Sequence, residues 1–294
     1  MDRDAMREAY ARDGYIAIEK LFSSDEIERL RDEATAIVEG ERGEIMGTDL
    51  IEGDGPTISN VLAIHFPHKA SPIMLDVVKD ARVAEVLTAL IGPDVKCMQS
   101  MLFAKNAGKP GQAWHQDEHY IATRDRSLCG VWIALDDATV ENGCLWMHPG
   151  SHKHGILWPT KPHGDPRFDS SEEAYDFPYA REGGVAVEVP AGSVVFFDGY
   201  VLHRSLENKR TEGFRRAIVN HYMNARSYLP WTFGLPPAPH VDVRDFVLVA
   251  GEDPYDWKGK EEITFPFVRP EDPAQAGLLF QRLIAMAEER KTDA

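Results

Sequence analysis

From residue 95 onward the chain is a succession of short apolar segments separated by turn-forming residues. The strand-like segments cover 98–105, 113–120, 129–135, 185–189, 194–197 and 217–222. Many short strands punctuated by glycine and proline are typical of a β-sandwich or a closed barrel. The segment 150–184 interrupts this pattern with His, Pro, Asp and Gly, and we expect it to form loops at the barrel mouth.

Helical patterns precede the β-rich region. Apolar spacing predicts helices over 1–12, 25–40 and 72–91, the last divisible into two pieces, and a short strand over 15–18. Ser23 followed by Glu26 is a capping box that starts the second helix. We expect a single domain. It has helical elements in 1–92, a β core over about 95–232, and an extension in 233–294 that ends in a helix over 271–290.

Composition narrows the class of protein. The chain has 294 residues and a formal net charge of −16, which argues against nucleic acid or an anionic membrane as the main partner. The three cysteines are too few and too far apart for a disulfide scaffold. The charged amino terminus resembles no secretion signal, so we expect a cytoplasmic protein that acts on a small molecule. The sequence leaves monomer and homodimer open.

His115 and Asp117 are the first candidates for chemistry. On a strand, alternate side chains point to the same face, so an imidazole nitrogen and a carboxylate oxygen can reach one point. His203, which follows a later strand, is the best third ligand. Two histidines and one carboxylate are the ligand set of non-haem Fe(II) centres. His119 shares the parity of His115 but is the less favoured ligand, and the second His-x-Asp motif, at His240, follows a proline-rich segment that disfavours a central strand.

Arg215 and Arg216 are adjacent in a predicted strand. One of them must face the interior of the barrel, because neighbouring side chains on a strand point to opposite faces. A buried guanidinium needs an anionic partner. That partner is either an internal carboxylate, which the acidic composition readily supplies, or a bound dicarboxylate held by a bidentate pair.

Four stretches of this sequence, 114–120, 141–152, 191–203 and 213–217, occur in the order found in the phytanoyl-CoA dioxygenase family. The chain resembles that family from about residue 15 to residue 231. Its members are Fe(II)- and 2-oxoglutarate-dependent oxygenases. The resemblance implies a mostly β fold with flanking helices and a double-stranded β-helix core, which is the jelly-roll, cupin-like arrangement.

The resemblance also implies roles for individual residues. It assigns His115, Asp117 and His203 to the catalytic iron. It places 2-oxoglutarate against five further positions, Arg215, Ser205, Trp132, Met101 and Gln116. Because the segment between His203 and Arg215 is one residue longer than in the family, Arg216 stays open as a substitute for Arg215. A lysine that some members use upstream has no clear match, and Asn60 or His65 lies in its region.

The expected activity is hydroxylation of an unactivated C–H bond of a small molecule, with Fe(II), 2-oxoglutarate and O2 and with release of succinate and CO2. Asp117 stands where related halogenases carry a small residue, which favours hydroxylation over halogenation. The candidate substrate-binding residues are His65, Trp158 and Arg226. Two alternatives remain, a non-catalytic barrel that binds metal and a 2-oxoacid, and a cupin-type Zn or Mn enzyme.

Overall fold

The computed structural model describes residues 2–51, 55–231, 238, 240–269, 275, 277–279 and 281–285. The described helices are α1 (Arg3–Asp13), α2 (Ser24–Val38), α3 (Pro67–Ala70), α4 (Pro72–Val78), α5 (Ala81–Leu90) and α6 (Asp117–Tyr120). The capping box between Ser23 and Glu26 is present at the start of α2. Asp80 caps α5 and divides the 72–91 pattern into two helices, as its sequence allowed.

Two antiparallel sheets make up most of the remaining structure. The described strands are β1 (Tyr15–Ile18), β2 (Ala63–His65), β3 (Val95–Asn106), β4 (Gln112–His115), β5 (Cys129–Ala134), β6 (Leu145–Met147), β7 (Thr160–Lys161), β8 (Glu173–Ala174), β9 (Val185–Val187), β10 (Val194–Asp198), β11 (His203–Ser205), β12 (Phe214–Asn224), β13 (Val247–Ala250) and β14 (Phe267–Arg269). The larger sheet has the order β1-β10-β5-β12-β3-β2-β14, with β13 also paired to β3, and the smaller sheet has the order β4-β11-β6-β9. β7 and β8 pair with each other in the segment 150–184.

The larger sheet separates two hydrophobic layers. Leu102 and Ile218 belong to a cluster that the helices cover, whereas Met101 and Val219 belong to a cluster shared with β6 and β9 of the smaller sheet. This division follows from the two-residue period of a strand. The four central strands of the larger sheet therefore face the smaller sheet, and together they form the jelly-roll core that the family resemblance implied.

The segment 113–120 is only partly a strand. β4 ends at His115, and local hydrogen bonds from the N–H groups of His119 and Ile121 to the carbonyls of Gln116 and Asp117 replace the ladder. Asp117 is therefore the first residue of the short helix α6, and the strand prediction is wrong beyond residue 116.

The carboxyl-terminal extension joins the main sheet. β13 pairs with β3 and β14 pairs with β2, so the extension completes one edge of the same sheet. Residues 275, 277–279 and 281–285 are helical, and the rest of the helix predicted over 271–290 lies outside the described residues. Across the described part of the chain, the helices are too short or too polar to traverse a lipid bilayer.

The buried carboxylate of Glu33 gives a test of how the helical layer is held together. It accepts two hydrogen bonds from Arg42, both at 2.8 Å, and one from Ser71 Oγ at 2.6 Å. Glu33→Gln removes the ion pair with Arg42. It also puts an amide N–H donor where a carboxylate oxygen had accepted a hydrogen bond. We expect it to lower the free energy of unfolding at pH 7 by roughly 1–2 kcal/mol, measured by urea denaturation.

Glu28→Gln is the matched control, because Glu28 lies on the exposed face of the same helix. The hydrogen bonds from Arg42, acting against burial, lower the pKa of Glu33 below its ordinary value of 4.5. Ionised Glu33 therefore stabilises the fold at neutral pH, and this contribution is lost as the pH falls through the folded-state pKa. A deficit in the Glu33→Gln variant that stays constant down to low pH would contradict this account.

Candidate metal centre

A cavity of about 630 Å³ lies between the two sheets, and His115, Asp117 and His203 are on its wall. This volume is within the range of small-molecule sites. Among the described residues, these three side chains form a group that could hold a metal ion, since one ligand atom from each lies within 4.8 Å of the others. All three residues are buried.

Strand pairing brings the two histidines together. His115 is the last residue of β4 and His203 the first of β11, and they are direct partners in the ladder, with ring centroids 4.1 Å apart. Gln116 keeps an extended backbone, with φ −130° and ψ 128°, so Asp117 returns to the same side although the strand has ended. Asp117 Oδ1 lies 3.6 Å from His115 Nε2 and 3.5 Å from His203 Nε2.

Backbone carbonyls fix which nitrogen of each histidine faces the site. His115 Nδ1 lies 2.7 Å from the carbonyl of Ala113, and His203 Nδ1 lies 3.0 Å from the carbonyl of Val201. Each Nδ1–H can donate to its carbonyl, which leaves the lone pair of Nε2 for a metal. Burial, assisted by His203, lowers the pKa of His115 to about 3, so its ring is in the neutral form that coordinates metals.

His221 holds the carboxylate of Asp117. Its Nε2 donates to Asp117 Oδ2 at 3.0 Å, which leaves Oδ1 on the side of the two ligand histidines. Burial raises the pKa of Asp117, but His203 and His221 outweigh burial and keep it below its ordinary value. The sequence interpretation treated His221 as an ordinary histidine. It lies six residues after Arg215 in β12, and the two-residue period would have placed both on one face.

The far end of the cavity is cationic. Arg215 is 2% exposed and forms no salt bridge with any described residue, and its Nε has no hydrogen-bond partner. Burial lowers its pKa to about 10, which leaves the guanidinium charged at neutral pH. Arg216 instead pairs with Asp136 through two hydrogen bonds of 2.9 and 2.8 Å. The open choice between the two arginines is thus decided in space, because Arg215 lines the cavity.

Lys105 is a second cation at this end, and the sequence interpretation missed it. Its Nζ donates to Ser205 Oγ at 3.0 Å and to the carbonyl of Leu206 at 2.6 Å. Burial, with Arg215 close by, holds the pKa of Lys105 well below its ordinary value. Lys105 is the ladder partner of Arg215, so a search across the strand pair would have found it. Asn60, one upstream candidate, instead binds Gly55 and Thr57 within its own loop.

The other predicted site residues divide into two groups. Trp132, Met101, Ser205 and His65 line the cavity. Gln116 does not line the cavity. It lies between His115 and Asp117 and points to the opposite side, where its amide binds the backbone at Ile156, Trp158 and Tyr200.

Two of the predicted substrate residues also lie away from the cavity. Trp158 packs beside Trp114 in a separate small cluster. Arg226 is largely exposed and pairs with Asp94 at 2.5 Å. Neither side chain lines the cavity, and their assignment to substrate binding stays a prediction.

Asp117→Ala removes the anionic ligand, and we expect it to abolish stoichiometric Fe(II) binding. The measurement is metal content after anaerobic reconstitution and desalting. Asp125→Ala is the control, since Asp125 is an exposed aspartate close by in the chain. Full metal content in the Asp117→Ala protein would remove Asp117 from the ligand set.

His221→Phe keeps a ring in place but removes the hydrogen bond to Asp117. Groups that orient a metal ligand typically contribute 10–100-fold in metal affinity. We expect a loss of that order in Fe(II) affinity, measured by competition with a chelator, with the thermal unfolding temperature of the metal-free protein little changed. Unchanged affinity would show that Asp117 is positioned without His221.

Comparison with known proteins agrees with this geometry. The sequence pattern of the family described as Phytanoyl-CoA dioxygenase (PhyH) matches residues 10–217. A phytanoyl-CoA dioxygenase of Arabidopsis thaliana is 33% identical over 167 residues, which cover 55% of this chain and 56% of that protein. A peroxisomal phytanoyl-CoA dioxygenase of Rattus norvegicus is 29% identical over 243 residues, covering 74% of this chain and 67% of that protein. The chain thus spans about half the length of the plant relative.

Solved structures share the fold. The non-heme monooxygenase ThoJ, in its apo form, aligns with a TM-score of 0.65 and 21% identity over 98% of each chain. EctD from S. alaskensis, with 2-oxoglutarate and 5-hydroxyectoine, aligns with a TM-score of 0.63 and 27% identity, over 81% of this chain and 82% of its own.

The family pattern covers well over half of the sequence, and its match includes His115, Asp117, His203 and Arg215. The fold and the convergence of these side chains in one cavity agree with it. This chain belongs to the phytanoyl-CoA dioxygenase (PhyH) family.

Proposed function

We propose that this protein is an Fe(II)- and 2-oxoglutarate-dependent oxygenase that hydroxylates an unactivated C–H bond of a small molecule. Bound Fe(II), with 2-oxoglutarate and O2, would supply the oxidising power and release succinate and CO2. His115, Asp117 and His203 would hold the metal. Three protein ligands on one face leave the other coordination positions open for the cosubstrate and O2.

The observation that carries this proposal is the unpartnered guanidinium of Arg215. A buried charge without a counter-ion is costly, so the site is built for an anion that enters from outside. Arg215 lies on the same face of β12 as His221, which contacts Asp117. A dicarboxylate can therefore place one end at the metal and its distal carboxylate at Arg215, with a bidentate pair as the natural geometry.

Apolar residues lie between Arg215 and the metal centre and shield the space for the cosubstrate from water. Trp132 and Met101 are ladder partners of Val219 on the two flanking strands, and all three line the cavity between Arg215 and the metal centre. Their apolar surfaces exclude water along the cosubstrate. Ser205, fixed by the hydrogen bond from Lys105, presents a hydroxyl at the anionic end. The amine of Lys105 adds a second hydrogen-bond donor group at this end.

Hydroxylation is the proposed outcome because Asp117 occupies the ligand position that a halide would need. ThoJ is described as a monooxygenase and the EctD structure holds 5-hydroxyectoine, which support the same reaction type. SnoK and SnoN carry out carbocyclisation and epimerisation on this fold. Fold alone does not select among these outcomes.

The alternatives fit the cavity less well. A cupin-type Zn or Mn enzyme has no need of the unpaired guanidinium of Arg215. A non-catalytic binding protein would keep the ligand set without turnover, and succinate release with a substrate distinguishes it. The three cysteines are buried free thiols, which supports the cytoplasmic location that we propose.

Arg215→Ala should weaken 2-oxoglutarate binding far more than Arg216→Ala. Charge-assisted hydrogen bonds contribute about 1.5–3 kcal/mol, so the expected loss is roughly 10–100-fold for Arg215. The measurement is an anaerobic titration of the Fe(II)-loaded protein with 2-oxoglutarate, followed by the visible absorption band of the complex. Arg216→Ala is the matched control on the opposite face of the strand, and equal losses in the two variants would contradict the assignment.

A further inference from the structure

The cavity has a second end, which we call the outer chamber, and its wall is apolar. The wall residues are Phe66, Ile121, Trp231, Val243, Ile263 and Phe267. They belong to one hydrophobic cluster or pack against it. The Phe66 ring lies 6.2 Å from that of Trp231 and 6.1 Å from that of Phe267. Binding a hydrocarbon molecule against this wall is favourable, because it removes apolar surface from water.

The outer chamber lies beyond the metal centre as seen from Arg215. Along β12 the residues on the cavity wall are Arg215, then Val219, then His221, which contacts Asp117. The strand continues to Met223, which belongs to the cluster behind the outer chamber. A cosubstrate at Arg215 and a molecule in the outer chamber would therefore approach the metal centre from opposite ends.

No cation is free to bind an anionic group in this chamber, among the described residues that line the cavity. The cavity cations other than Arg215 and Lys105 are Arg269 and Arg204. Arg269 pairs with Asp169 at 2.9 Å, and Arg204 lies 3.8 Å from Glu182. The chain as a whole carries a net charge of −16. Phosphate or carboxylate groups would therefore lose hydration here without gaining a counter-ion.

His65 and Gln99 form a neutral polar pair on the cavity wall beside these apolar residues. His65 Nδ1 lies 3.3 Å from Gln99 Nε2, and the His65 ring stacks on Phe267 at 4.4 Å. Burial lowers the pKa of His65 to about 3, so its ring is neutral. With Nδ1 accepting from the Gln99 amide, Nε2 carries the proton and is a donor, while Gln99 Oε1 is an acceptor. A neutral donor beside an acceptor matches a hydroxyl or carbonyl oxygen.

We propose that the outer chamber binds an uncharged, largely hydrocarbon molecule with one hydroxyl or carbonyl oxygen, which His65 and Gln99 bind. This inference rests on the proposed function, because it names the substrate class for the same site. His65 and Gln99 face the cavity beside Met101 and His221, close to the metal centre. Fixing the oxygen there selects which part of the hydrocarbon skeleton is presented for oxidation. A coenzyme A thioester, with its several phosphate charges, is a poor match to this chamber.

The test compares three molecules that share one skeleton, namely geraniol, geranic acid and geranoyl-CoA. Each competes with the neutral fluorescent probe N-phenyl-1-naphthylamine for the full chain, both without metal and after anaerobic loading with Fe(II) and 2-oxoglutarate. We expect geraniol to displace the probe at concentrations at least about tenfold lower than either anion, because an unpaired buried charge is costly. Tighter or equal displacement by geranic acid or geranoyl-CoA overturns the proposal, as does no displacement by geraniol at its solubility limit.

Two variants test whether the differences in affinity among these molecules arise in the outer chamber. Ile263→Lys places a cation in the wall and should weaken geraniol while tightening geranic acid. Ile156→Lys is the matched control, since Ile156 is 47% exposed and does not line the cavity.

His65→Phe keeps the stack on Phe267 but removes the donor. It should weaken geraniol about fivefold and leave limonene, which has no oxygen, unchanged. Equal effects on geraniol and limonene would refute the role of His65.

The substrate class and the proposed function can fail separately. If Fe(II) and 2-oxoglutarate bind but geranoyl-CoA is preferred, the oxygenase assignment stands and the substrate class is wrong. If geraniol binds in the expected order but 2-oxoglutarate does not bind to the Fe(II)-loaded protein, the chamber is described correctly and the oxygenase assignment is wrong.

Discussion

The pairing of β4 with β11 is the contact on which the rest of the site depends. It sets His115 opposite His203, which brings the two rings close enough to share a metal ion. Each ring is fixed by the backbone carbonyl two residues earlier, that of Ala113 within β4 for His115 and that of Val201 just before β11 for His203. Asp117 is placed differently, at the first turn of a short helix, and needs His221 to hold its second oxygen.

Charge is distributed along the cavity in a definite order. The unpaired guanidinium of Arg215 and the buried amine of Lys105 lie at one end, the carboxylate and imidazoles of the metal centre lie in the middle, and a hydrocarbon wall lies at the other end. The two ends of the cavity therefore suit two different ligands. An anion is drawn to the first end by electrostatics, and an uncharged molecule is drawn to the last end by burial of apolar surface. The metal centre lies where the two molecules would meet.

Errors in the sequence interpretation came from assumptions about direction. Gln116 was assigned to the cosubstrate because it adjoins the metal ligands, yet its position between them turns it away from the cavity. Trp158 and Arg226 were assigned to the substrate, and neither lines the cavity. Lys105 and His221 were missed, although each follows from Arg215 by simple strand geometry. The first is its ladder partner, and the second lies on its face six residues later.

The sequence by itself determined the ligand types, the grouping of alternate residues of β3 and of β12 on shared faces, the main helices and the family. These features depend on local periodicity and on residue chemistry, and both can be read directly from the sequence. Only the tertiary structure decided that Arg215 rather than Arg216 faces the cavity, that Lys105 fixes Ser205, and that distant segments close a largely apolar outer chamber. Those features depend on contacts between residues as far apart as Phe66 and Trp231, and no local pattern encodes which of many apolar segments will meet.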